Sequence, residues 1–62
     1  MPIITLEGPK IANLDTRREF IRDLTDAAVK AYALPQEKII VILHENSREQ
    51  VGVGGELLVD KG

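Results

Sequence analysis

Five large apolar residues in succession, Ile39-Ile40-Val41-Ile42-Leu43, restrict most strongly what this chain can fold into. Four of the five are β-branched, which favours a strand. A continuous apolar run, rather than an alternating one, is typical of a strand buried on both faces. We therefore predict that residues 38–44 form a strand and that other parts of the protein cover both of its faces.

A strand, one long helix and a second strand predict a βαβ unit, which is a two-layer fold of the α/β class. Residues 2–7 form the first predicted strand and residues 8–14 a loop before the helix. The two strands of such a unit are parallel and its crossover is right-handed. The glycine-rich residues 51–56 predict a short C-terminal hairpin or bulged strand. We expect a single domain over residues 1–62.

The helix between the strands has recognisable ends. Thr16 and Glu19 have the spacing of a capping box at a helix start. The helix is expected to stop near Ala33, because the residue before Pro35 is disfavoured in the α region. Apolar residues recur at helical spacing and predict one buried stripe, formed by Phe20, Ile21, Leu24, Ala27, Ala28, Ala31 and Tyr32.

The chain is too short to bury a large core by itself. A domain of about 60 residues buries only about 60% of its unfolded surface, and natural domains of this size add disulfides, metals or assembly. Cysteine is absent, the single histidine cannot build a metal site alone, and aromatic residues make up only 3%. One helix covers one face of a two-stranded sheet, so we predict that the other face meets a partner chain.

Charge and hydropathy disfavour several classes of partner. The net charge is −2 with both signs interspersed, whereas nucleic acid binding requires clustered Lys and Arg. No apolar stretch approaches the ~18 residues of a membrane span. The first residues have no charged segment leading into an apolar one, so we expect no secretory signal. With no cysteine, the composition is consistent with a cytoplasmic protein.

Pro2 offers the least ordinary chemistry in the chain. Proline is a common first residue of a strand, because it has no N–H to donate. If Met1 is removed, the ring nitrogen of Pro2 becomes a free secondary amine that can accept and return a proton. Ile3, Ile4 and Ile40 are expected to surround it with apolar groups. Such a pocket lowers the pKa of an amine towards neutrality, where general acid–base catalysis is efficient.

Other patterns are weaker. A dinucleotide-binding G-x-G-x-x-G motif fails because Leu57 stands where its third glycine belongs. His44 and Glu45 begin the zinc motif H-E-x-x-H, but Arg48 occupies the position of its second histidine. Lys10 follows the first strand; such a residue is commonly solvated, and it is also a candidate cation for a substrate carboxylate.

Several motifs occur together in one order along the chain. They are a proline after the initiator methionine, Leu6-Glu7-Gly8 at the end of a strand, a capped helix, Pro35 before the second strand, and Val51-Gly52-Val53-Gly54-Gly55-Glu56. In this order the chain resembles the 4-oxalocrotonate tautomerase family over nearly its full length. The resemblance implies βαβ subunits with a C-terminal hairpin, joined as dimers and usually as a hexamer of three dimers.

The resemblance also implies an activity without a cofactor. Catalytic Pro2 would carry a proton between atoms of an enol or dienol of a 2-oxo acid, such as 2-hydroxymuconate, giving the conjugated ketone. Family arginines that bind and polarise the substrate correspond to Lys10 and Ile40 here, and a family phenylalanine corresponds to Val51. We expect these three residues to contact substrate. Lys10 is expected to replace one arginine; the candidates for another are Arg17, Arg18 and Arg48.

Two alternatives share these features. One is a non-catalytic βαβ oligomer, or the inactive partner subunit of a hetero-oligomer, that retains the fold for packing. The other is a hydratase or dehalogenase acting on an unsaturated acid, with protonated Pro2 as the acid. A pH–rate profile separates the enzymes, because activity of the free base rises with pH and activity of the ammonium form falls.

Overall fold

The computed structural model describes residues 1–61. Its elements are strand β1 (Ile3–Gly8), helix α1 (Leu14–Tyr32), strand β2 (Ile40–Glu45), strand β3 (Gly52–Val53) and strand β4 (Glu56–Leu57). β1 and β2 pair in parallel, and β3 and β4 pair in antiparallel. The predicted βαβ unit and C-terminal hairpin are therefore confirmed. Gly54 and Gly55 form the hairpin turn with φ of 63° and 86°, a conformation that strongly favours glycine.

Strand β2 starts two residues later than predicted. After Pro35 the chain makes a 3-10 turn over Gln36–Lys38, in which the N–H of Lys38 donates to the carbonyl of Pro35 at 3.0 Å. The N–H of Ile39 then donates to Gln36 at 3.1 Å. These local bonds occupy backbone groups that a strand would need, so ladder pairing begins at Ile40.

The cap of helix α1 differs from the prediction. Asn13 is the N-cap, and its Oδ1 accepts from the backbone N–H of Asp15 at 2.8 Å and of Thr16 at 3.1 Å. Thr16 therefore lies inside the first turn, and the capping box predicted for Thr16 and Glu19 is wrong. The helix ends as predicted, since Ala33 adopts a left-handed conformation with φ 54°.

The two possible caps can be separated by mutation. We expect Asn13→Ala to lower the free energy of unfolding by about 1 kcal/mol, because two N–H groups of the first turn lose their acceptor. Thr16→Ala is the matched control and should be neutral, since alanine is the better helix former. Urea unfolding at one fixed protein concentration measures both changes. A larger loss for Thr16→Ala would contradict the observed cap.

The sheet has one covered and one open face. Ile4 and Leu6 of β1 are half-buried and pair with Val41 and Leu43 of β2, so these four form the face beneath the helix. Alternate residues point the other way. On that open face Ile3 is 55% exposed and Ile42, in β2, is 42% exposed.

The buried helix stripe is narrower than predicted. Ala28 at its centre is 6% exposed, and it is the only apolar residue in residues 1–61 that is buried. Ala27, Ala31 and Tyr32, which were predicted to belong to the stripe, lie exposed. The half-buried positions around Ala28 are Arg17, Phe20, Ile21, Leu24, Thr25 and Val29.

The chain is thin and extended. It measures 43 × 24 × 13 Å and its radius of gyration is 14.9 Å, whereas a compact domain of this length has about 10.5 Å. Within residues 1–61 of one chain, the predicted cover over both faces of β2 is absent, because α1 is the only layer that packs on the sheet there. No helix of the described residues is both long and apolar enough to cross a bilayer.

Candidate active site

Pro2 and Ile40 lie together where the two parallel strands begin. The carbonyl of Pro2 accepts a hydrogen bond from the N–H of Ile40 at 3.1 Å, and Ile3 is the register partner of Ile40. Pro2 is half-buried. Met1 is 83% exposed, so the residue attached to the nitrogen of Pro2 extends into solvent. Of the predicted site residues, these two are neighbours in one chain.

A cavity of about 380 Å³ lies where the same strands end. Its walls are largely apolar and include Pro9, Val51 and Leu58. Val51 is therefore a cavity residue, as a substrate contact would have to be. Lys10 follows Pro9 directly and is exposed at this end of the sheet. The structure thus places the other two predicted contacts at or beside the cavity.

The two halves of the predicted site are far apart in a single chain. Gly8, which also lines the cavity, follows Pro2 by six residues. At a rise of about 3.3 Å per residue, the strand separates them by about 20 Å. Pro2 and Val51 of one chain therefore cannot contact the same small molecule.

Polar side chains at the cavity form a network that the sequence analysis missed. Glu7 is the register partner of His44, and its Oε2 lies 3.0 Å from Nδ1 of the imidazole. The other oxygen of Glu7 accepts from Nδ2 of Asn46 at 2.9 Å. Both Glu7 and Asn46 line the cavity. Near its end each strand has a leucine followed by a polar residue, Leu6-Glu7 in β1 and Leu43-His44 in β2. Pairing the two leucines in a parallel sheet would have predicted the contact between Glu7 and His44.

The three candidate arginines have different surroundings. Arg17 is 3.0 Å from the Glu45 carboxylate and also donates to the carbonyl of Ile11. The same carboxylate accepts from the N–H of Ile11 at 2.9 Å, so this group ties the loop before α1 to the end of β2. Arg17 and Glu45 do not line the cavity.

Of the other two candidate arginines, only Arg48 lines the cavity. Arg18 is paired on the exposed helix surface with Asp15 at 2.8 Å. Arg48 lines the cavity, and its Nη2 donates to the carbonyls of Leu58 at 2.5 Å and Lys61 at 3.0 Å. These two bonds connect the turn after β2 to the segment after β4 and keep Arg48 beside the cavity.

Comparison with known proteins identifies the family. The family model described as "Tautomerase enzyme" matches residues 2–61. A probable tautomerase of Listeria innocua is 33% identical over 55 residues, which are 89% of this chain and 90% of the relative.

Two solved structures share the fold. A crystal structure of a 4-oxalocrotonate tautomerase homologue is 32% identical, with a TM-score of 0.87 over 100% of this chain and 98% of the other. DmpI from Archaeoglobus fulgidus is 37% identical, with a TM-score of 0.84 over 95% of this chain and 100% of the other. The match extends over the whole βαβ unit and the hairpin.

Proposed function

This chain belongs to the tautomerase family, and on that premise we propose that its mature form is a cofactor-independent isomerase acting on the enol of a 2-oxo acid. The amine of Pro2 accepts the hydroxyl proton of the enol and returns a proton to carbon. The O–H bond breaks, the C–H bond forms and the carbonyl results, with no change in redox state. 2-Hydroxymuconate and phenylenolpyruvate are suitable test substrates.

The observation that carries the proposal is the position of Pro2. It stands directly before β1 and beside Ile40, and the exposed Met1 is attached to its nitrogen. Removal of Met1 converts an amide nitrogen without basicity into a secondary amine. The side chain of Ile40 contributes apolar surface near that amine, which favours the neutral base over the hydrated ammonium ion.

We propose that a second copy of the chain completes the site. Pro2 is about 20 Å from the cavity of its own chain at ~3.3 Å per residue, so the cavity that serves it belongs to a neighbour. In that arrangement Val51 forms an apolar wall and Lys10 supplies a cation. The exposed Ile3 and Ile42 on the open sheet face support such an assembly, because their burial stabilises it. A hexamer built from dimers is the expected form.

A cleavable leader tests the role of the free amine. The chain is produced with an N-terminal extension whose proteolysis leaves Pro2 as the first residue, and intact mass confirms each form. We expect the extended form to be inactive, because its Pro2 nitrogen is an amide, and cleavage to generate ketonisation of both test substrates. The control is the same digestion of protein bearing Ala at position 2. Equal activity before and after cleavage would contradict the proposal.

A further inference from the structure

We propose that Arg48 binds the carboxylate of the substrate in the cavity, and that the protein prefers monocarboxylate enols with an apolar end over dicarboxylates. This inference rests on the proposed function and specifies its substrate class. Arg48 is the one positively charged side chain among the described residues that line the cavity. Three observations support a carboxylate site at Arg48: its lack of a carboxylate partner, its hydrogen bonds to backbone carbonyls and the apolar walls around it.

The charge of Arg48 is not neutralised by a carboxylate within residues 1–61. Arg17 faces Glu45 at 3.0 Å and Arg18 faces Asp15 at 2.8 Å. The partners of Arg48, in contrast, are two neutral backbone carbonyls. An arginine already paired with a carboxylate gains little from a second anion, whereas no carboxylate of residues 1–61 is paired with Arg48. This difference selects Arg48 from the three candidates.

The guanidinium is held in place before substrate arrives. Nη2 is fixed by the carbonyls of Leu58 and Lys61. Nε and Nη1 have no acceptor in the described part of the chain, so their N–H groups are available. A guanidinium donates to a carboxylate through two parallel N–H groups, and an immobilised one loses less conformational entropy on binding.

The other residues that line the cavity, among which Lys10 is not found, disfavour a second carboxylate. Pro9, Val51 and Leu58 are apolar, and burying a charge against them is costly. The other ionisable side chain in the lining is Glu7, whose carboxylate repels an anion. The lining therefore fits a ligand with one carboxylate, bound by Arg48, and an aryl or alkyl group packed against the apolar walls.

The test compares substrates that differ only in charge. Kinetics are measured for phenylenolpyruvate and for its methyl ester, with wild-type, Arg48→Gln and Arg48→Lys proteins. We expect Arg48→Gln to raise KM for the acid by about 10–100-fold, the usual effect of losing a hydrogen bond to a charged group. KM for the ester should change less than about 3-fold, and Arg48→Lys should recover part of the loss.

Arg18→Gln is the matched control, because Arg18 lies on the helix outside the cavity. It should leave both substrates unaffected. If Arg48→Gln weakens acid and ester equally, Arg48 only holds the hairpin, and the inference is overturned. A kcat/KM for 2-hydroxymuconate above that for phenylenolpyruvate would overturn the preference for monocarboxylates.

A binding experiment distinguishes failure of this inference from failure of the proposed function. trans-Cinnamate and cinnamamide are titrated into the Pro2→Ala protein by NMR, where no turnover is needed. We expect cinnamate to bind about 10-fold or more tightly than cinnamamide, and Arg48→Gln in that background to abolish the preference. If the preference exists while Pro2 proves dispensable for turnover, the proposed function alone fails. If both ligands bind equally, the carboxylate site fails.

Discussion

Pro2→Ala in the mature protein is expected to lower kcat/KM for phenylenolpyruvate by about 10²-fold or more, within the range that positioned acid–base groups contribute. The ring of proline fixes the nitrogen relative to Ile40. The flexible primary amine of alanine is better hydrated, so its lone pair is less available. Stopped-flow absorbance of the enol measures the loss directly.

The fold should survive this substitution. The carbonyl of residue 2 still accepts from the N–H of Ile40, a bond that does not depend on the ring. Circular dichroism and sedimentation should therefore match wild type. Pro35→Ala, a proline substitution before the 3-10 turn, is the control and should retain full activity. A Pro2→Ala protein with an unchanged rate would exclude Pro2 as the proton carrier.

Ile42→Asp is expected to prevent assembly and, with it, stable folding. Ile42 lies on the open sheet face with 42% exposure in the isolated chain. If that face meets another copy, a carboxylate there is buried against apolar groups, at a cost of several kcal/mol per subunit. Sedimentation should show loss of the oligomer. Circular dichroism should show loss of helix at concentrations where wild type is fully folded.

Leu14→Asp is the matched control for Ile42→Asp. Leu14 is 58% exposed at the start of α1, outside both strands. An acidic residue in the first turn of a helix is favourable, so this substitution should leave assembly intact. A folded, monomeric Ile42→Asp protein would show that one helix and two strands suffice for stability. An oligomeric one would exclude the open face as the interface.

The order and type of the elements were predictable because they depend on local patterns. The apolar run around Val41 specifies a strand, and its parallel pairing follows from the helix that precedes it. Exact ends were less predictable. Thr16 and Glu19 have the spacing of a capping box, but the helix begins before Thr16. The side chain of Asn13 accepts from the N–H groups of the first turn instead. The predicted helix stripe included Tyr32, which is the last residue of α1 and is 61% exposed.

By itself, the sequence determined the βαβ order and the hairpin, and it predicted Pro2 as the proton carrier. Only the tertiary structure decided which side chains meet. Glu7 and Asn46 are 39 residues apart and form one hydrogen bond, because parallel pairing brings both strand ends to the same edge. The same pairing puts Pro2 and Val51 at opposite ends of the sheet. Local periodicity carries no information about such distances, since register and strand direction exist only once the chain has folded.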